Sequence, residues 1–209
     1  ITKPAEVPHD HFGILAAQEK GDAGEPFEPS HENITARTHI KSFGNLKIAL
    51  LPKSNRGRTV NVAMSFRWGD EKSLAHRNVA APLTIAMLAR GTKTLTRQQI
   101  ADEITRLKVR GSLTHFETTR EKLPEALRLV ARLLQEPSFP EAEFDELKRE
   151  HLTALQSQLD NPEDLSSDAL QSHFNTYPAG DPRYHTPLPE RIEQVRRTKR
   201  ASTSSLQRA

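Results

Sequence analysis

The hydrophobic period of this chain shifts near Val79 from strand spacing to mostly helical spacing, and that shift constrains the fold more than any single motif. Val60, Val62, Met64 and Phe66 alternate with Asn61, Ala63, Ser65 and Arg67. A period of two puts every second side chain on one face, as in a half-buried strand. Beyond Val79 the apolar residues recur at every third or fourth position, which is helical spacing. Strands first and mostly helices after predict an α+β fold, an antiparallel sheet covered on one face by helices.

The local signals fill in that outline. Thr38 to Ser42 and Leu46 to Leu51 flank the turn Phe43-Gly44-Asn45 and read as a hairpin. Gly69-Asp70 ends the alternating strand. Val79 to Arg90 reads as a helix that stops at Gly91, with Val79 to Ala89 forming an apolar core helix. Thr96-Arg97-Gln98-Gln99 has the spacing of a capping box, followed by Ile100, Ile104 and Leu107 on one face. Ser112 to Thr119 reads as a returning strand. Leu123, Leu127, Val130 and Leu134 form the next helical stripe. Pro140 suits a first helical position ahead of Phe144, Leu147, Leu152 and Leu155. Asn161-Pro162 starts a further helix through Leu165, Leu170 and Phe174; Pro178 to Pro189 is a loop, and Ile192 and Val195 mark a last short helix.

The ends differ from the middle. Residues 1–33 are rich in Pro and Gly, including Pro4, Pro8, Pro26 and Pro29, and read as a connector. Residues 34–195 form the folded domain. Residues 196–209, with the run Arg196-Arg197-Thr198-Lys199-Arg200 ahead of Ser202, Ser204 and Ser205, read as a solvated tail, disordered or incomplete. The chain opens at Ile1 rather than Met, which suggests a processed form or a piece of something longer.

Several chemistries are excluded by composition. There is no cysteine, so disulfides and thiolate sites are impossible. The net charge of +3 over 209 residues and the 5% aromatic content make no case for nucleic acid. No apolar run reaches the ~20 residues of a membrane span. Walker, dinucleotide and nucleophile-elbow spacings are absent.

The nine histidines invite a metal reading. His9-Asp10-His11 offers two imidazoles but falls in the connector. His31-Glu32, His76 and His115 stand alone. Leu147-Lys148-Arg149-Glu150-His151 carries the end of a His-x-x-Glu-His motif, but Leu147 stands where the first histidine belongs. That motif needs both imidazoles on one helical face to grip zinc, with the Glu as general base. A solvated helix face beside an apolar stripe is the plainer reading.

Phrases in order along 36–195 resemble one half of a pitrilysin/insulinase-type zinc metallopeptidase. Phe43-Gly44-Asn45-Leu46-Lys47-Ile48 is similar to the family's opening hairpin, with Asn and Gly exchanged. Phe66-Arg67-Trp68-Gly69, Ala86 to Thr92, Phe116 to Glu121, Leu133 to Phe139, Asn161-Pro162 and Tyr177-Pro178 follow in family order. The resemblance implies a processing-peptidase-like fold. Aligned on it, the family's first His, Glu and second His fall at Pro82, Ile85 and Ala86, and its later Glu ligand at Ala154, with Gln156 and Gln158 nearby. None of these can bind zinc or act as base, so no catalytic, cofactor or metal residue is expected in this chain.

By the same resemblance, two homologous halves enclose a chamber and usually only one carries zinc. This chain looks like a zinc-less half. Its expected partners are a homologous zinc-bearing half, on the same or a neighbouring chain, and a peptide substrate. The parent protein would be a zinc metalloendopeptidase, with this chain itself inactive. Arg183-Tyr184 should not be equated with the family's substrate-contacting Arg and Tyr, which belong to a later domain. A periplasmic or exported location is expected by analogy. An assembly subunit that cleaves nothing is the alternative.

Overall fold

The computed structural model describes residues 24–206, and side chains up to residue 203. Most of the expected connector, including His9-Asp10-His11, lies outside that range. Helix α1 (His31–Arg37) begins just before the boundary set at Ile34. The Ser30 hydroxyl accepts the Asn33 N–H and so satisfies one of the free amides at its start.

The strands divide into two small antiparallel sheets. β1 (His39–Phe43) and β2 (Leu46–Leu50) form the predicted hairpin, with Phe43 opposite Leu46. Gly44 supplies the left-handed backbone of the turn, at φ +56°. β3 (Thr59–Ala63) belongs to a second sheet with β4 (Arg110–Gly111) and β5 (His115–Thr119), in the order β3-β5-β4. Pro52 and the left-handed Gly57 and Arg58 break the extended backbone between β2 and β3, which separates the hairpin from the larger sheet.

Helices follow as α2 (Glu71–Leu74), α3 (Ala80–Met87), α4 (Arg97–Arg106), α5 (Leu123–Gln135), α6 (Glu141–Leu159), α7 (Pro162–Phe174), α8 (Leu188–Arg197) and α9 (Arg200–Leu206). Period-two burial on β5 turns Phe116 and Thr118 inward. Val62, directly opposite Phe116, joins that face. Ile100 and Leu107 from the α4 segment and Ala126, Leu129, Val130 and Leu133 of α5 close the core over the sheet. The Thr118 hydroxyl is buried there and donates to the Leu107 carbonyl at 2.7 Å, so its polarity costs little. The Thr96 capping box forms as expected, with Thr96 and Gln99 exchanging side-chain bonds to each other's N–H.

A second core joins α3, α6 and α8 through Val79, Leu83, Leu155, Leu188, Ile192 and Val195. A third, of Met87, Leu88, Phe139 and Phe144, bridges the two.

Three expectations need correction. The α5 stripe is rotated: Leu127 is exposed, while Ala126, Leu129 and Leu133 are buried with Val130. This helix offers leucines on two overlapping stripes, and β5 selects one. Helix α7 forms, but its apolar side chains Leu165, Leu170 and Phe174 are exposed. The basic tail is not solvated throughout. Residues 200–206 form α9 against α3, Thr203 is buried, and its carbonyl accepts from the Thr84 hydroxyl at 3.3 Å.

Candidate functional site

Helix α3 carries the positions where the resemblance expects zinc chemistry. Its core side holds Val79, Ala80, Leu83, Thr84, Met87 and Leu88. Pro82, Ile85, Ala86 and Ala89 are exposed, so the segment is not the wholly buried helix that its composition suggested. Ala154 is likewise exposed on α6, as is Gln156, while Gln158 is half-buried.

Glu150 and His151, the remnant of the inverted motif, have been drawn apart by different partners. Glu150 accepts from Arg90 Nη2 at 2.5 Å. Arg90 also faces Glu143 at 3.4 Å, and Arg97 binds Glu143 at 3.2 Å and Glu146 at 2.9 Å. The network fastens the turn after α3, and the start of α4, to α6. Arg97 holds the Glu146 carboxyl below its usual pKa, chiefly through their hydrogen bond.

His151 turns instead toward a cleft of about 490 Å³ walled by Leu74, Val79, Ala81 and Pro82 and by the 182–191 segment. Burial pushes its pKa below the ordinary 6.5, and the positive charge of Arg191 adds to the shift. His185 also lines this cleft. Its Nε2–H donates to Asp168 Oδ1 at 2.8 Å.

The remaining histidines are dispersed. His31 opens α1, exposed. His115 is exposed on β5, with Nδ1 3.1 Å from Thr114 Oγ1. His76 sits in left-handed backbone at φ +58°, over Gly180. Among the described residues no group of three or more His, Cys, Asp or Glu could hold a metal ion, and no helix is long and apolar enough to cross a membrane.

With this geometry in place, comparison with known proteins bears on the fold. No family model and no curated protein matches the sequence. The structure is similar to a solved structure described as a peptidase M16 inactive domain from Pseudomonas fluorescens. The TM-score is 0.50 at 22% identity, over 62% of this chain and 32% of that one. The chain thus spans about a third of that protein's length. The likeness is one of fold.

Zinc needs imidazole, carboxylate or thiolate donors. Pro82, Ile85, Ala86 and Ala154 offer none, so these residues do not fit the ion. Arg183 is engaged locally with Asp181 at 2.7 Å and over the Tyr177 ring, and holds the Asp181 carboxyl down to about 2.

The cleft was not visible in the sequence. Its members come from residues 74–82, His151 and residues 182–191, with no shared spacing. The one available signal was the histidine of the broken motif.

The shifted groups fix how stability responds to acid. A folded-state pKa below the unfolded value means stability that is present above the unfolded pKa and lost as pH falls. For His151 that loss starts below 6.5; for Glu103, Glu125 and Glu146 it starts below 4.5. Thermal melts should therefore fall from about pH 7 to about pH 5, and His151→Leu should flatten that fall. An unchanged slope in the variant would show that His151 titrates as freely folded as unfolded.

Proposed function

We propose that this chain is a non-catalytic domain of a pitrilysin/insulinase-type zinc metallopeptidase, the type also called peptidase M16. It supplies chamber wall and interface to a homologous half that carries zinc and hydrolyses peptides. The observation that carries this reading is the outer face of α3. By the resemblance in sequence, the positions where relatives grip zinc fall at Pro82, Ile85 and Ala86, and on α3 these are exposed and offer no side-chain atom that could bind it. Exposed Ile40, Phe43, Leu46 and Leu50 on the β1–β2 hairpin supply apolar surface suited to an interface.

Elemental analysis and a peptidase assay on the purified chain test the proposal. Far less than one zinc per chain and no turnover are expected. Adding the zinc-bearing half should produce a complex on size-exclusion chromatography and peptide cleavage. Stoichiometric zinc with turnover by this chain alone would overturn the reading.

A further inference from the structure

We propose that the cleft between α3, α6 and the start of α8 binds a carboxylate attached to an apolar body, such as the C-terminal residue of a peptide. This goes beyond the chamber-wall role and holds whether or not a zinc-bearing half exists.

The ionisable side chains lining the cleft include Arg77, His151, His185 and Arg191, and no Asp or Glu lines it. Asp168, just behind, is already spoken for. Its Oδ1 accepts from His185 at 2.8 Å and lies 3.5 Å from Arg191, and its Oδ2 accepts the Leu188 N–H at 3.0 Å. Asp168 thus offsets Arg191, and the positive charge of Arg77 is left over in the cleft.

That excess is concentrated on Arg77. Arg77 is half-buried, and its side chain makes no hydrogen bond or ion pair among the described residues. A guanidinium offers five donors in a planar fork that matches a carboxylate, and in a partly desolvated cleft such a pair gains strength. Thr186 is an independent sign of an unfilled polar site. It is 5% exposed, it lines the cleft, and its hydroxyl has no partner. The neighbouring Asn78 amide oxygen is also buried without one. Buried polar atoms are rarely left so; a ligand's N–H would satisfy the Asn78 oxygen, and a carboxylate would accept from the Thr186 hydroxyl. The apolar part of the lining, Leu74, Val79, Ala81 and Pro82, suits a hydrocarbon side chain. A bare anion would leave that wall unused.

Isothermal titration calorimetry on the full chain tests this with acetyl-Ala-Leu as free acid, the same peptide as C-terminal amide, hexanoate, and inorganic phosphate. The free acid should bind at least about tenfold more tightly than the amide. Arg77→Gln should weaken the free acid by a similar factor while its thermal melt stays at the wild-type value, since Arg77 holds no structural partner. Hexanoate binding as well as the peptide acid would support the site and assign it to free organic acids; weaker hexanoate binding would support it and assign it to peptide ends. Equal binding of acid and amide, phosphate binding as tightly as the acid, an unaffected Arg77→Gln, or no binding of any probe would overturn it. None of these results depends on zinc content or turnover, so failure here leaves the chamber-wall reading separately testable.

Discussion

Truncating Phe144 to alanine is expected to lower the unfolding free energy by about 3–5 kcal/mol, the range for deleting a buried aromatic ring. Phe144 is 3% exposed and stands in the first turn of α6. It touches the cluster of Met87, Leu88 and Phe139, which in turn meets Leu113 and Leu134 from the sheet-side core and Leu147 from the helical one. The ring therefore sits where the two larger cores are joined. Its loss would leave a cavity that cannot collapse without moving α6 away from the end of α3. Urea denaturation reads the effect, with Leu127→Ala as the comparison. Leu127 is 40% exposed, so that change should cost much less. Equal costs for the two would mean that the junction is not a packed core.

That junction also shows what the sequence could disclose. The capping box at Thr96, the hairpin turn at Gly44 and the alternation through Val60 and Val62 are local signals, and each formed where its residues stood, although β3 stops at Ala63 and leaves Met64 and Phe66 beyond the strand expected to run to Gly69. Which leucines of α5 face inward was not local. Leu127 and Leu129 both sit on plausible stripes, and only contact with Phe116 across the sheet decides between them. The exposure of Pro82, Ile85 and Ala86 was hidden for a related reason. An apolar segment looks uniformly buried until its neighbours are known, and here α6, α8 and α9 cover one side only. The cleft depended on long-range assembly altogether, since Arg77, His151 and Arg191 lie far apart in the chain. The tail misled for the opposite reason. Its charges argued for solvent, yet the buried Thr203, whose carbonyl accepts from the Thr84 hydroxyl, lies against α3.

Replacing Asp168 by alanine should cost about 2–3 kcal/mol, more than any other change on α7, because one carboxylate there does the work of a helix cap for its neighbour. Helix α8 starts after Pro187, whose side chain offers no oxygen to cap it. The free N–H of Leu188 is accepted instead by Asp168 Oδ2 from α7, at 3.0 Å. A negative charge at a helix N-terminus is also favoured by the aligned peptide dipoles. The same carboxylate receives His185 and faces Arg191, so its removal strands a backbone amide and an imidazole at once and leaves Arg191 only the Thr186 carbonyl. Its side chain is 17% exposed, enough shielding for those bonds to count and enough solvent to keep the cost below that of a fully buried ion. Helix α7 has no buried residue of its own. It is held largely by this link and by contact with α6, so losing Asp168 should also loosen α7 itself. Chemical denaturation measures the cost, and amide hydrogen exchange should speed up at Leu188. Asp168→Asn keeps one acceptor oxygen without the charge and should recover part of the loss. Exposed Ser172 on the same helix is the control, and a Ser172→Ala cost matching that of Asp168→Ala would show that α8 is capped some other way.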